Sequence, residues 1–353
     1  MRKWGIKIRI IKRILALLEC IVITFLIISG YNIRKVNAQT SGLRQKPVII
    51  DIVLFNYEDK YISLVKQSLE DIEKQNEGKV KVNFYDSKGN QTIQDEILDN
   101  LSRKNQDILL VNLVDTTAAP EVMGMLSQKI IPIIFFNREP VSLAPLYGRA
   151  YYVGTNARES GELQGKIIIN LWNNNREAID LNGNGVLEYA ILRGQQTNIG
   201  AQEITKSVIS TIENAGIKTK QLTSSIANWE RKLARENTSA LFLQYGTGME
   251  AILANNDEMA IGAVEALQKY GYNLGDKKKT IVVVGIYATP EAQELIKKGF
   301  MAGSVFQDLS EIAKAIYTIG MNIHEGKEPL SGTPYKFDNT GIAVRLTYRE
   351  YVG

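Results

Sequence analysis

The feature that most limits what this chain can fold into is an alternation. Short runs of β-branched and other apolar residues are each followed by a longer stretch whose apolar residues recur at helical spacing. The short runs predict strands at 48–55, 80–85, 107–114, 131–136, 187–193, 218–222, 251–255, 280–286 and 302–306. Between them the spacing predicts helices at 61–75, 92–103, 120–128, 159–173, 201–215, 228–243, 258–269, 290–298 and 311–324. Strand, helix and strand in repetition build mainly parallel sheets with helices on their faces, an α/β doubly wound architecture. Such sheets bind ligands in the crevice beyond the carboxyl ends of their strands. That rule directs attention to 56–61, 137–140, 256–257 and Tyr287. At roughly 150 residues per domain, a chain of 353 residues is expected to hold about two such units.

Charge is distributed unevenly. The chain carries 42 Lys and Arg against 38 Asp and Glu, but residues 1–46 hold ten of the bases and one acid, Glu19, which leaves the remainder at 32 minus 37, or −5. A mildly acidic body without a concentrated cationic face excludes nucleic-acid binding. At the N-terminus, six basic residues precede an apolar stretch at 14–33, interrupted by Glu19 as its one charge, and Val36-Asn37-Ala38 offers small residues for cleavage. This pattern reads as a signal peptide or a membrane anchor over 1–38, and either way the flanking Lys and Arg place the rest of the chain outside the cytoplasm. Cys20 is the only cysteine, so no intramolecular disulfide forms, and it sits at the start of the apolar run rather than after it, where a lipid-modified cysteine would lie. The single histidine, His324, falls at an expected helix end, where a cation suits the dipole. One such histidine and one cysteine in the export segment supply neither base nor nucleophile for a catalytic triad, and no enzyme is expected.

A metal loop is legible at 180–188. Asp180, Asn182, Asn184 and Glu188 place oxygen side chains at positions 1, 3, 5 and 9, Gly185 stands at position 6, and the Val186 carbonyl falls at position 7. That is the first three quarters of an EF-hand loop, whose hard oxygen donors favour Ca²⁺. Position 12, which needs a bidentate carboxylate, is Ile191, so the last ligand must come from elsewhere in the chain. The competing reading is a Gly/Asn-rich turn stabilised by local Asx turns.

Three further segments carry a family likeness: Phe135-Phe136-Asn137-Arg138-Glu139-Pro140, Tyr151-Tyr152-Val153-Gly154-Thr155, and Ala254-Asn255-Asn256-Asp257-Glu258-Met259-Ala260 with Gly262-Ala263-Val264-Glu265-Ala266-Leu267. From about Val48 onward the chain resembles the galactose/glucose-binding proteins of bacterial ABC transporters. That resemblance implies the type 1 periplasmic binding protein fold: two Rossmann-like lobes joined by three hinge crossings and closing on a sugar. It divides the chain into 47–155 plus 308–338, and 156–307 plus 339–353. It also supplies the missing metal ligand, Glu250, six residues before Asn256, giving Ca²⁺ as a structural ion.

For the sugar, the resemblance implies Asp59, Tyr61, Asn137, Trp229 and Asn256, with Tyr61 and Trp229 sandwiching a pyranose while the others exchange hydrogen bonds with its hydroxyls. It departs at Asn198, Gly200 and Ile204, which stand where the family has His, Asp and Arg. Tyr287 stands where it has Asp, and Gln307, before Asp308, where it has Asn. Losing those ions removes charge-assisted hydrogen bonds, so specificity is expected to differ. The implied partners are a small sugar and an ABC permease. The alternative is a membrane-anchored sensor that passes lobe closure to a kinase or receptor. A monomer is expected.

Overall fold

The computed structural model describes residues 46–128 and 130–353. The expected export or anchor segment, 1–38, lies outside the described residues. Among the described residues no helix is long and apolar enough to cross a membrane.

The described residues form two six-stranded sheets of matching strand order. The first holds β1 (Val48–Leu54), β2 (Val80–Asp86), β3 (Ile108–Val111), β4 (Ile133–Phe136), β5 (Tyr151–Thr155) and β11 (Ala343–Leu346), in the order β2-β1-β3-β4-β5-β11. The second holds β6 (Val186–Arg193), β7 (Lys218–Ile226), β8 (Ala251–Ala254), β9 (Val282–Tyr287), β10 (Gly303–Phe306) and β12 (Arg349–Tyr351), in the order β7-β6-β8-β9-β10-β12. All pairings are parallel except β10 with β12.

The helices are α1 (Lys60–Gln75), α2 (Gln91–Ser102), α3 (Ala119–Met125), α4 (Ala157–Asn174), α5 (Ile199–Asn214), α6 (Arg231–Tyr245), α7 (Asp257–Lys269), α8 (Pro290–Lys297) and α9 (Leu309–His324). Each falls where the apolar spacing predicts it. In α1, Tyr61, Ile62, Val65 and Leu69 make one buried stripe, and Asp59 caps its first turn by accepting from the Ile62 N–H at 2.9 Å.

Alternation along β1 sends Ile50, Ile52 and Leu54 into a core shared with α1 and α9, while Val53 faces the opposite core, with Leu98 and Leu101 of α2. The second lobe likewise has one core on each side of its sheet. The chain passes between lobes after β5, after β10 and after β11. The last crossing therefore lies at 347–348 and not after 338. The reason is that β11 pairs in parallel with β5 and buries Ala343, Val344 and Leu346 in the first lobe, so only β12 returns to the second. Strands β5, β11 and β12 were not among those expected from the sequence.

Candidate functional site

A cavity of about 360 Å³ lies between the lobes, at the carboxyl ends of the strands, as the winding rule requires. Its first-lobe wall begins at Asp59, whose carboxylate caps α1 while lining the cavity. Burial pushes this carboxyl up to about 6, against the lowering effect of the Ile62 N–H and of Arg138. Asn137 follows β4 with a left-handed φ of 60°. Its main chain is pinned by N–H donation to the Val153 carbonyl at 3.0 Å and by the Tyr152 hydroxyl donating to its carbonyl at 2.9 Å. Its side-chain oxygen accepts from Asn112 Nδ2 at 3.2 Å.

Arg138 was not among the site residues expected from the sequence, although it sits inside the motif that carries the family likeness. Its guanidinium lies 4.5 Å above the Phe55 ring, and Nη2 donates to the Val114 carbonyl at 2.8 Å and, across the cleft, to Gln195 Oε1 at 2.7 Å. Burial lowers its pKa to about 10, and the negative charge of Asp59 acts in the opposite direction. The cavity thus sets the buried Arg138 and the half-buried Asp59 in mutual influence, with Glu139, Arg158 and Glu203 also on its walls, an arrangement suited to a polar ligand that both accepts and donates.

The second-lobe wall is made by Asn198, Trp229, Asn256 and Tyr287. Asn198 and Asn256 are helix caps. Asn198 Oδ1 accepts from the Ala201 N–H at the start of α5 and Asn256 Oδ1 from the Met259 N–H at the start of α7, each at 2.9 Å. Asn256 Nδ2 donates to the Trp229 carbonyl at 3.1 Å, so its amide fixes the neighbouring wall. Tyr287 crosses the cleft, and its ring lies 4.2 Å from that of Tyr61, tilted by 35°. The expected sandwich of Tyr61 and Trp229 is therefore altered: Tyr61, 4% exposed, has Tyr287 against its ring, while Trp229 remains half-buried. Gln307 is buried near the Tyr61 hydroxyl and does not line the cavity.

Two properties mark this cleft as functional. Among the described residues, seven non-glycine residues have positive φ, and Asn137, Trp229 and Tyr287 line the cavity while Asn228 and Ala288 adjoin them in sequence. Backbone strain of this kind persists where the surroundings enforce it and gathers at binding sites. The Tyr61 hydroxyl, Trp229 Nε1, Arg138 Nε and both amide atoms of Gln307 are buried without a hydrogen-bond partner in the protein, although Gln307 and Asn137 stand close enough to influence the Tyr61 hydroxyl.

Comparison with known proteins agrees with this architecture. Residues 50–328 match the model of a periplasmic binding protein domain. The chain belongs to the periplasmic binding protein family. It is accordingly an extracytoplasmic solute-binding protein and not an enzyme. It is 35% identical over 301 residues to the D-galactose/methyl-galactoside binding periplasmic protein of Haemophilus influenzae, spanning 85% of this chain and 88% of the relative. It is 29% identical over 274 residues to a putative rhizopine-binding protein of Rhizobium meliloti, covering 77% and 82% of the two chains. Among solved structures, an ABC transporter solute binding protein of Bacillus halodurans with bound myo-inositol superposes with a TM-score of 0.70 at 25% identity, over 88% of this chain and 96% of that one.

Away from the cleft, Glu250 of this periplasmic binding protein lies beside the expected metal loop, held to it by two of the loop's backbone N–H groups. Gly183 and Gly185 turn the loop with φ of 68° and 76°. Glu250 is fully buried, and its two oxygens accept from the Asn182 N–H at 3.4 Å and the Glu188 N–H at 3.0 Å. Burial raises its pKa, with the charge of Asp180 adding to the effect and the backbone N–H groups opposing it. Side-chain cations stand at the other two carboxylates: Arg176 Nε lies 2.9 Å from Asp180 and Lys220 Nζ 2.7 Å from Glu188. Among the described residues no group of three or more His, Cys, Asp or Glu side chains is drawn closely enough together to hold a metal ion.

Proposed function

We propose that this protein captures a small neutral sugar or cyclitol and delivers it, lobes closed, to an ABC permease. The observation that carries this reading is the interlobe cavity, which sets an indole bearing an unpartnered Nε1 opposite a half-buried Asp59 and a buried Arg138. A polyol ring has the matching chemistry, with apolar C–H faces for Trp229 and hydroxyls that donate to Asp59 and accept from Arg138. Of the relatives named above, one is named for D-galactose and methyl-galactoside binding and one was solved with bound myo-inositol; these support the ligand class and leave the choice within it to the cavity. The test is calorimetric titration of the protein against D-galactose, D-glucose, D-ribose, D-allose and myo-inositol. Saturable binding of at least one is expected, and silence across all five, with the fold intact, overturns the reading.

We further propose that the loop at 180–188 binds Ca²⁺ through Asp180, Asn182, Asn184, the Val186 carbonyl, Glu188 and Glu250. Donor chemistry and loop spacing support this. The competing cations are on long, largely exposed stems, 52% for Arg176 and 62% for Lys220, and can move to solvent when a divalent ion takes their place.

A further inference from the structure

The unusual feature of the proposed sugar platform is what lies beneath it. A Cβ built on Gly194 would fall 2.1 Å from Trp229 Cζ2, 2.3 Å from Cε2 and 2.4 Å from Cη2. Cε2 and Cη2 are the two atoms bonded to Cζ2. An edge-on approach would leave both much farther away than Cζ2 itself, so the near-equal distances put Gly194 over the face of the six-membered ring. Unlike the turn glycines, Gly194 does not have a left-handed φ, so the requirement here is space and not conformational freedom.

Neither partner is free to withdraw. The Gly194 N–H donates to the buried Asn255 Oδ1 at 3.1 Å, and the carbonyl of Arg193 accepts from the Ala227 N–H at 2.8 Å. On the other side, Asn256 Nδ2 holds the Trp229 carbonyl, and Trp229 is kept at a φ of 71°.

We propose that Gly194 is a positioning residue for ligand binding: by lacking a side chain it lets the indole of Trp229 lie on the β6 terminus, closing one ring face and turning the other to the cavity. A bound ring therefore stacks on a single face of Trp229, at a depth set by the Gly194 backbone. This inference rests on the ligand reading above, but its geometric half stands independently of it.

The experiment is a double-mutant cycle on the full-length chain with Gly194→Ala, Trp229→Ala and the double variant. Each is followed by tryptophan emission and acrylamide quenching, by denaturant unfolding and by titration of the five-compound panel. Gly194→Ala is expected to shift the emission and quenching assigned to Trp229 and to weaken binding at least tenfold. In the Trp229→Ala background, where the methyl enters space the indole has left, the same substitution is expected to change unfolding midpoint and emission no further. Unchanged emission with affinity within twofold would overturn the proposal, as would an equal loss of stability in both backgrounds, which would assign Gly194 a purely backbone role. If the unmodified protein binds none of the panel, the ligand reading fails, while the emission and unfolding arms still decide the placement of Trp229.

Discussion

Tyr61 of the first lobe and Tyr287 of the second meet ring to ring across the cleft, with centroids 4.2 Å apart. Together with the 2.7 Å hydrogen bond from Arg138 to Gln195, this pair makes direct contact between lobes on the walls of the cavity. The closed arrangement thus has protein-to-protein contacts of its own, and a ligand adds to them. A ligand shifts an opening equilibrium only by its differential affinity for the two states, so pre-existing cross-lobe contacts lower the contribution that the ligand must supply.

Removing that ring contact should loosen the closed state. An aromatic pair contributes about 0.5–1.5 kcal/mol beyond its buried area, so Tyr287→Ala is expected to move the ligand-free population toward the open form by up to about tenfold. Small-angle scattering of the ligand-free protein should show a larger radius of gyration for Tyr287→Ala than for Tyr287→Phe, which keeps the ring. Identical scattering from both variants and the parent would show that the pair does not govern closure.

Trp229 is the remaining aromatic platform, and its loss should act on binding more than on folding. Truncating an aromatic anchor in a pocket costs on the order of 2 kcal/mol, so Trp229→Ala is expected to weaken the preferred ligand roughly thirtyfold. Its indole packs at the margin of the second-lobe core and is only partly buried, so the thermal transition should move little. Retained affinity, measured by calorimetry, would place the ligand elsewhere in the cavity.

How far the sequence could be read depended on how unbroken each signal was. Among the described residues, all nine α-helices carried enough turns for the apolar stripe to declare itself. Strands as short as the four residues of β3, β4 and β8 were readable because each is an unbroken apolar run, whereas β5 ends in Gly-Thr, β11 carries Arg345 and β12 is largely charged, so none of these three shows such a run. The missed β11 is what displaced the expected last crossing. Within the site, Asn198 and Asn256 were legible as cleft residues, but their cap roles arise because a residue between strand end and helix start serves both places at once. Gly194 gave no readable signal, since the reason for it, an indole 35 residues onward in the chain, exists only in three dimensions.

Calcium should stabilise the second lobe through Glu250. Glu250→Gln keeps the volume and one acceptor oxygen but removes the charge and the bidentate grip that a Ca²⁺ loop needs. The parent protein is expected to melt at higher temperature in calcium than in chelator, by an amount that grows with free calcium as linkage requires. The variant should show a much smaller gap. Superimposable melts of the parent in calcium and in chelator would reject the site and leave Arg176 and Lys220 as the permanent partners of Asp180 and Glu188.

The pH dependence of stability should carry the mark of Asp59. Its folded-state pKa, raised by burial from 3.8 to about 6, lies above the unfolded value, so the folded protein holds this proton more tightly than the unfolded chain does. Below about 3.8 both states are protonated and the group contributes nothing. As pH climbs from there to about 6 the unfolded chain releases the proton first, and stability falls; above that range the carboxylate is charged in both states and the full cost of burying it persists. Asp59 is only half-buried, so solvent screening holds that cost to on the order of 1 kcal/mol. Asn caps helices as well as Asp does, so Asp59→Asn isolates the charge from the cap. Its melting temperature relative to the parent is expected to rise between pH 4 and pH 7 and then level off. A constant difference over that range, measured in calcium-free and ligand-free buffer, would mean that Asp59 titrates at its ordinary value and that the cleft does not hold it in a desolvated environment.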